Sequence, residues 1–147
     1  MSADDTLADA PTPLPASIGP IIVTVHGTND HHPDDEGERW WQRGSRFTDY
    51  LNGVLAERGI SGAEIMPLHW SGMNSDHDRL SAARALAKLV RQIETSGRPY
   101  AVLAHSHGGN VTVEALSRLR AAEGRGGIVS FGTPFFVRRL KPVPWLI

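Results

Sequence analysis

The 147-residue chain contains no cysteine. That absence removes disulfides, thiolate metal ligands and a thiol nucleophile from consideration, and it is compatible with a reducing, cytoplasmic location. No apolar run approaches the roughly 20 residues of a membrane-spanning helix. Aromatic residues make up only 7% of the chain and do not interleave with the basic ones, so no nucleic-acid partner is expected. Residues 1–38 hold eight acids and neither Lys nor Arg. This stretch has no basic leader and no apolar core of the kind a secretory signal needs.

What is present is ordinary soluble composition, 40% hydrophobic and 21% charged, enough for one domain with a real core. Residues 39–147 carry the other eight acids and all 15 bases, read as a solvated, Arg-rich surface. Residues 1–19, rich in Asp, Pro and Ala, read as a disordered lead-in, residues 20–136 as the folded domain and 137–147 as a basic, apolar stub. In that stub Arg138, Arg139 and Lys141 precede Trp145-Leu146-Ile147. A plain tail and the border of a membrane segment are both open readings of it.

Short apolar runs alternate with helical patterns, the mark of βαβ units and a parallel sheet. The fold class expected is α/β, an open, mostly parallel sheet of about four strands flanked by helices. Ile21–Val25 is β-branched at all five positions and suits a buried strand. A long polar loop runs from Gly27 to about Glu38. Trp40, Phe47, Tyr50, Leu51, Val54 and Leu55 then recur at helical spacing, with Gly59 as the stop. The second strand is expected over Glu64–His69. The second helix starts at a Ser75 or Asp76 cap, carries Leu80, Leu86, Leu89, Val90 and Ile93 on one stripe, and ends before Gly97 and Pro99. Tyr100–Ala104 and Gly127–Phe131 are the remaining strands, separated by a helix from about Gly108 to Ala122.

The chemistry concentrates in Ala104-His105-Ser106-His107-Gly108. An apolar strand runs into a turn with Ser106 at its tip and a helix leaves at once. Small residues two positions before and after the serine let the chain bend sharply, the layout of a nucleophile elbow. A serine hydroxyl attacks only when a base takes its proton and oriented donors stabilise the oxyanion. The helix start brings N–H groups and the positive dipole end to that point, with the His107 amide as one donor. An ordinary serine N-cap is the competing explanation. The G-x-G-x-x-G and Gly-Lys-Ser/Thr spacings of nucleotide sites are absent. A second turn, His26-Gly27-Thr28-Asn29, follows the first strand and could aim the Thr28 amide at Ser106. Both turns lie where open α/β sheets bind ligands, at the C-terminal ends of the strands.

These motifs resemble the α/β-hydrolase family, in particular its lipase- and esterase-like branch. The resemblance rests on His26-Gly27-Thr28, on the Ser106 elbow and on Gly132-Thr133-Pro134-Phe135, and spans roughly residues 20–136. It implies Ser106 as nucleophile, the Thr28 and His107 amides as oxyanion hole, and a small-molecule or lipid ester as substrate, with no cofactor. His26, Gly27, Asn29, His105, Trp70 and Thr133 would line the cleft. Ala104 stands where the family more often has glycine.

One departure is larger. In the family the acid and the base follow the nucleophile, whereas here the only later histidine is His107, inside the elbow, and the only later carboxylates are Glu114 and Glu123. The chain therefore reads as an N-terminal portion of such a hydrolase. A non-catalytic fragment or pseudoenzyme of the same fold is the alternative. An upstream histidine, His69 above all, is a less conventional base. The acidic loop with His31 and His32 could bind a divalent cation, but adjacent side chains point apart, and a solvated rim explains it better, so no metal is expected. The last strand would lie at an open edge, a template for self-association.

Overall fold

A computed structural model describes residues 19–119 and 126–135. The lead-in up to residue 18 and the C-terminal stub lie outside the described residues, and the last helix, expected to reach about Ala122, ends at Ser117 with Arg118 as its C-cap.

The elements follow in the order β1 (Ile21–Val25), α1 (Arg46–Glu57), β2 (Glu64–Pro67), α2 (Asp76–Ser96), β3 (Tyr100–His105), α3 (His107–Ser117) and β4 (Gly126–Phe131). The strands form one parallel sheet in the order β2-β1-β3-β4, the open α/β architecture expected. Parallel pairing needs a crossover between neighbouring strands, which the helices supply. The register pairs Val25 with Ala104, so the residues that follow this pair, His26-Gly27 and His105-Ser106, emerge side by side.

β1 is buried at all five positions, consistent with a central strand covered on both faces. One face packs against α2 and α3. Val23, Val25, Val102 and Ala104 of the sheet meet Ala83, Leu86, Val90 and Ile93 of α2 and Val111 and Ala115 of α3. Of the stripe expected on α2, Leu86, Val90 and Ile93 are fully buried, while Leu89 packs at the margin of the core. Ser75 is the N-cap, accepting a bond from the Asp78 amide at 3.1 Å. Gly97 closes the helix in the left-handed conformation, φ 72°.

Two expectations change. The polar loop extends to Ser45, so Trp40 precedes α1 and is no part of its stripe. Gln42 explains the extension: its buried amide donates to the Asp34 carbonyl at 2.7 Å and accepts from the Arg39 amide at 3.0 Å. These bonds satisfy loop backbone that would otherwise favour a helix, and the Arg43 side chain on the Asp35 carboxylate at 2.8 Å ties the loop together. Tyr50 is 73% exposed and only Thr48 of α1 is buried. The helix is fixed at its start, where Ser45 caps the Thr48 amide at 3.2 Å, rather than by burying its apolar stripe. β2 ends at Pro67, two residues short of the expected His69.

All six residues of β4 are exposed. It is the edge strand expected from the sequence, and its free side has no neighbour among the described residues.

Candidate active site

Ser106 stands between β3 and α3 with φ 53° and ψ −131°. Only Ser106 and Asn29 among the described non-glycine residues have positive φ, and the Ser106 value lies outside the left-handed helical well that an L-residue tolerates best. Such a conformation costs on the order of 1–3 kcal/mol and persists only where the surroundings enforce it. Here they do. The Ser106 amide donates to the Phe131 carbonyl of β4 at 3.0 Å, and its carbonyl accepts from the Gly109 amide, also at 3.0 Å. The side chain makes no capping bond to the helix, so the N-cap explanation fails in its ordinary form. The hydroxyl is half-buried rather than enclosed.

Two glycines permit the approach of the neighbouring segments. A Cβ on Gly27 would sit 2.8 Å from the Ser106 Cβ and 3.4 Å from its hydroxyl oxygen, so the end of β1 lies directly against the serine. A Cβ on Gly108 would come within 2.6 Å of the His26 carbonyl oxygen, and nearer still to that of Val25. The first turn of α3 is thereby seated on the end of β1. His107, the first residue of α3, directs its amide outside the helix's own ladder, as helix starts do. Burial, and then the Arg79 charge, push the His107 imidazole below its ordinary value.

The sequence-derived residues do not all share one place. Gly27 and Ser106 come together at the adjacent ends of β1 and β3, with Thr28 and His107 the next residues of the two turns. Asn29 is exposed just beyond, at φ 60°, its amide bonded to the Gly72 carbonyl at 2.9 Å. Thr133 packs where α3 has Gly109, with its hydroxyl buried and without a hydrogen-bond partner among the described residues. His26 and Trp70, expected along the cleft, are instead buried behind the first turn, where their rings stack 5.4 Å apart. The Trp70 indole also donates to the His26 carbonyl at 3.1 Å, so the two rings pack on each other rather than face a cleft. His105 points into an aromatic group, 5.2 Å from Phe131 and 6.1 Å from Trp40.

His31 and His69 are engaged with other partners. His31 bonds the Trp70 carbonyl at 2.9 Å, and His69 pairs with Asp35, which also holds Arg43. His69 follows β2, which is separated from β3 by β1, a lateral distance of about 10 Å. Among the described residues no group of three or more His, Asp or Glu assembles as a metal site. The His31/His32 loop is bound instead through Gln42 and the arginine pairs.

Gln42, Gly72 and the Asp35–His69 pair shape this end of the sheet without a signal in the sequence. A cleft of about 300 Å³ lies one turn along α3, lined by Arg79, Leu80, Asn110, Val113 and Phe135 among others. Among the described residues no helix is long and apolar enough to cross a membrane.

Neither a protein-family model nor a curated protein matches the chain. Among solved structures it is similar to one described as an extracellular α/β-hydrolase from a Paenibacillus species, said to share structural and functional homology with tobacco salicylic acid binding protein 2. The identity is 18% and the TM-score 0.40, over 78% of this chain and 40% of that one. The chain thus spans less than half the length of that structure.

Proposed function

We propose that this chain carries the nucleophile and oxyanion hole of a serine hydrolase of carboxylic esters, of the α/β-hydrolase kind. The observation that supports it most is the strained backbone of Ser106, a non-glycine residue lifted out of the turn between strand and helix. A structural cap would relax to extended angles, as Ser45 and Ser75 do at the starts of α1 and α2. In the proposed reaction the Ser106 oxygen adds to the ester carbonyl while a base removes its proton. The developing oxyanion is held by the Thr28 and His107 amides. Collapse expels the alcohol, which takes up that proton, and leaves an acyl-enzyme that water hydrolyses by the same steps.

The base and its acid partner have no assignment among the described residues. For that reason the second reading, a binding module or inactive relative of the same fold, stays in view. It is favoured by one fact, the engagement of His26, His31 and His69 elsewhere. A fluorophosphonate probe separates the two. Covalent labelling that vanishes in Ser106→Ala supports the hydrolase, and wild-type chain that takes up no probe supports the module.

A further inference from the structure

His26 sits one residue past β1, wholly buried, and its Nδ1 lies 2.8 Å from the carbonyl oxygen of Gly27. That carbonyl and the Thr28 N–H are the two ends of one planar trans amide, so they point in opposite directions and turn as a unit. Whatever holds the oxygen also aims the N–H. We infer that His26 is a positioning residue that sets the direction of the Thr28 amide by anchoring the Gly27 carbonyl behind it. The inference rests on the proposal that this amide is an oxyanion donor.

The ring is held on two sides. Trp41 lies 4.8 Å away and Trp70 is stacked at 5.4 Å with only 19° between planes. The Trp70 indole N–H also donates to the His26 carbonyl at 3.1 Å, which ties ring and backbone to the same clamp. On the far side of the peptide, the Asn29 amide is fixed to Gly72. The Gly27–Thr28 amide is therefore anchored at its oxygen by His26 and bracketed by a fixed residue on each flank. Gly27 itself is pressed against Ser106 with no room for a side chain, so a rotation of this peptide is felt at the hydroxyl.

The protonation state follows from the same contacts. A carbonyl oxygen only accepts, so Nδ1 must carry the proton. Nε2 is buried without a hydrogen-bond partner among the described residues. A second proton there would make a buried cation. Burial pushes the imidazole below its ordinary value, His31 and His69 push it further, and the Asp30 carboxylate and the bond to Gly27 oppose them. The ring is thus a neutral, one-directional donor.

The test begins with the unmodified full chain. Nitrogen NMR of labelled histidine should show His26 as the neutral Nδ1–H tautomer at neutral pH, and the Nε2–H tautomer would overturn the inference. Two variants then separate anchoring from packing. His26→Phe keeps a flat ring between the tryptophans but has no donor. His26→Asn loses the ring and keeps a nitrogen donor at nearly the Nδ1 position. The residual dipolar coupling of the Thr28 N–H should change in His26→Phe and be retained in His26→Asn. The rate of fluorophosphonate labelling should fall about 10- to 100-fold in His26→Phe, below the cost of deleting an oxyanion donor outright, and stay within a few-fold of wild type in His26→Asn. Equal couplings in all three proteins would overturn the inference, as would an equal fall in both variants. If wild type takes up no probe, the hydrolase reading fails, while the Thr28 coupling still decides whether His26 orients the peptide.

Discussion

The ends of β1 and β3 differ from β4 in nearly every respect, although all belong to one sheet. At the first, a Cβ cannot be added to Gly27 or Gly108 without meeting backbone or Ser106, and His26, Val25 and Ala104 are fully buried. At the second, a Cβ on Gly127 meets nothing within 4 Å, and Ile128 and Val129 are about half exposed, at 50% and 54%. The dense region can enforce an unfavourable backbone at Ser106 because its neighbours have nowhere to go. β4 contributes one bond to that geometry, from the Phe131 carbonyl, and among the described residues it has no outer neighbour and no buried position, unlike most parallel strands.

The comparison breaks most visibly under core truncation. Leu86→Ala, at a fully buried α2 position, should cost about 3 kcal/mol in chemical denaturation. Val129→Ala on β4 should stay within about 0.5 kcal/mol. If the two cost the same, β4 is covered in solution and the contrast is false. Glycine substitution sharpens the same point. Gly108→Ala forces a methyl group against the carbonyls of Val25 and His26 and should cost about 2 kcal/mol, whereas Gly127→Ala should again be nearly neutral.

The open edge has a further consequence. Among the described residues nothing pairs with the outer edge of β4, and its N–H and C=O groups beside exposed Ile128 and Val129 form a template for another strand. The wild-type chain should associate in light scattering, and Val129→Lys should shift it toward monomer. A wild-type protein that stays monomeric at every concentration would remove β4 from consideration as a contact surface.

The dense region should be sensitive to mild acid. His26 is held below its ordinary value of 6.5 by burial, so the folded state binds its proton less readily than the unfolded chain does. Its contribution to stability is complete above pH 6.5 and declines as pH falls below that value. Denaturation midpoints measured on both sides of pH 6.5 should therefore drop on the acid side, by less in His26→Phe than in wild type.

Much of this was legible in the sequence, and what was not has a common physical cause. Strands and helix caps depend on local chemistry, so Ile21–Val25, the Ser75 cap and the Gly97 stop were visible in single residues and spacings. The Ser106 elbow was visible because a sharp strand-to-helix turn leaves small residues at fixed offsets. The loop to Ser45 was not, because Gln42 satisfies backbone groups six to eight residues away and nothing in its neighbours announces that. Nor was the burial of His26 and Trp70. Both belong to polar stretches, and only tertiary packing decides that their rings stack beneath the turn instead of facing a cleft.

The smallest effect isolates the strain itself. Glycine adopts positive φ without a Cβ penalty, so Ser106→Gly should recover part of the roughly 1–3 kcal/mol that the serine backbone costs. Against this stands the greater freedom glycine has in the unfolded chain, about 0.5–1 kcal/mol. The relief is the larger quantity, and Ser106→Gly should be more stable than wild type by up to about 1 kcal/mol while losing all probe labelling. Ser130→Gly, on the unstrained edge strand, has the entropic cost and no relief, and should be less stable by about 0.5–1 kcal/mol. Opposite signs at two serines in one sheet would show that the turn stores energy where the hydroxyl is presented. If both changes destabilise equally, Ser106 is not strained, and the principal reason for treating it as a nucleophile is gone.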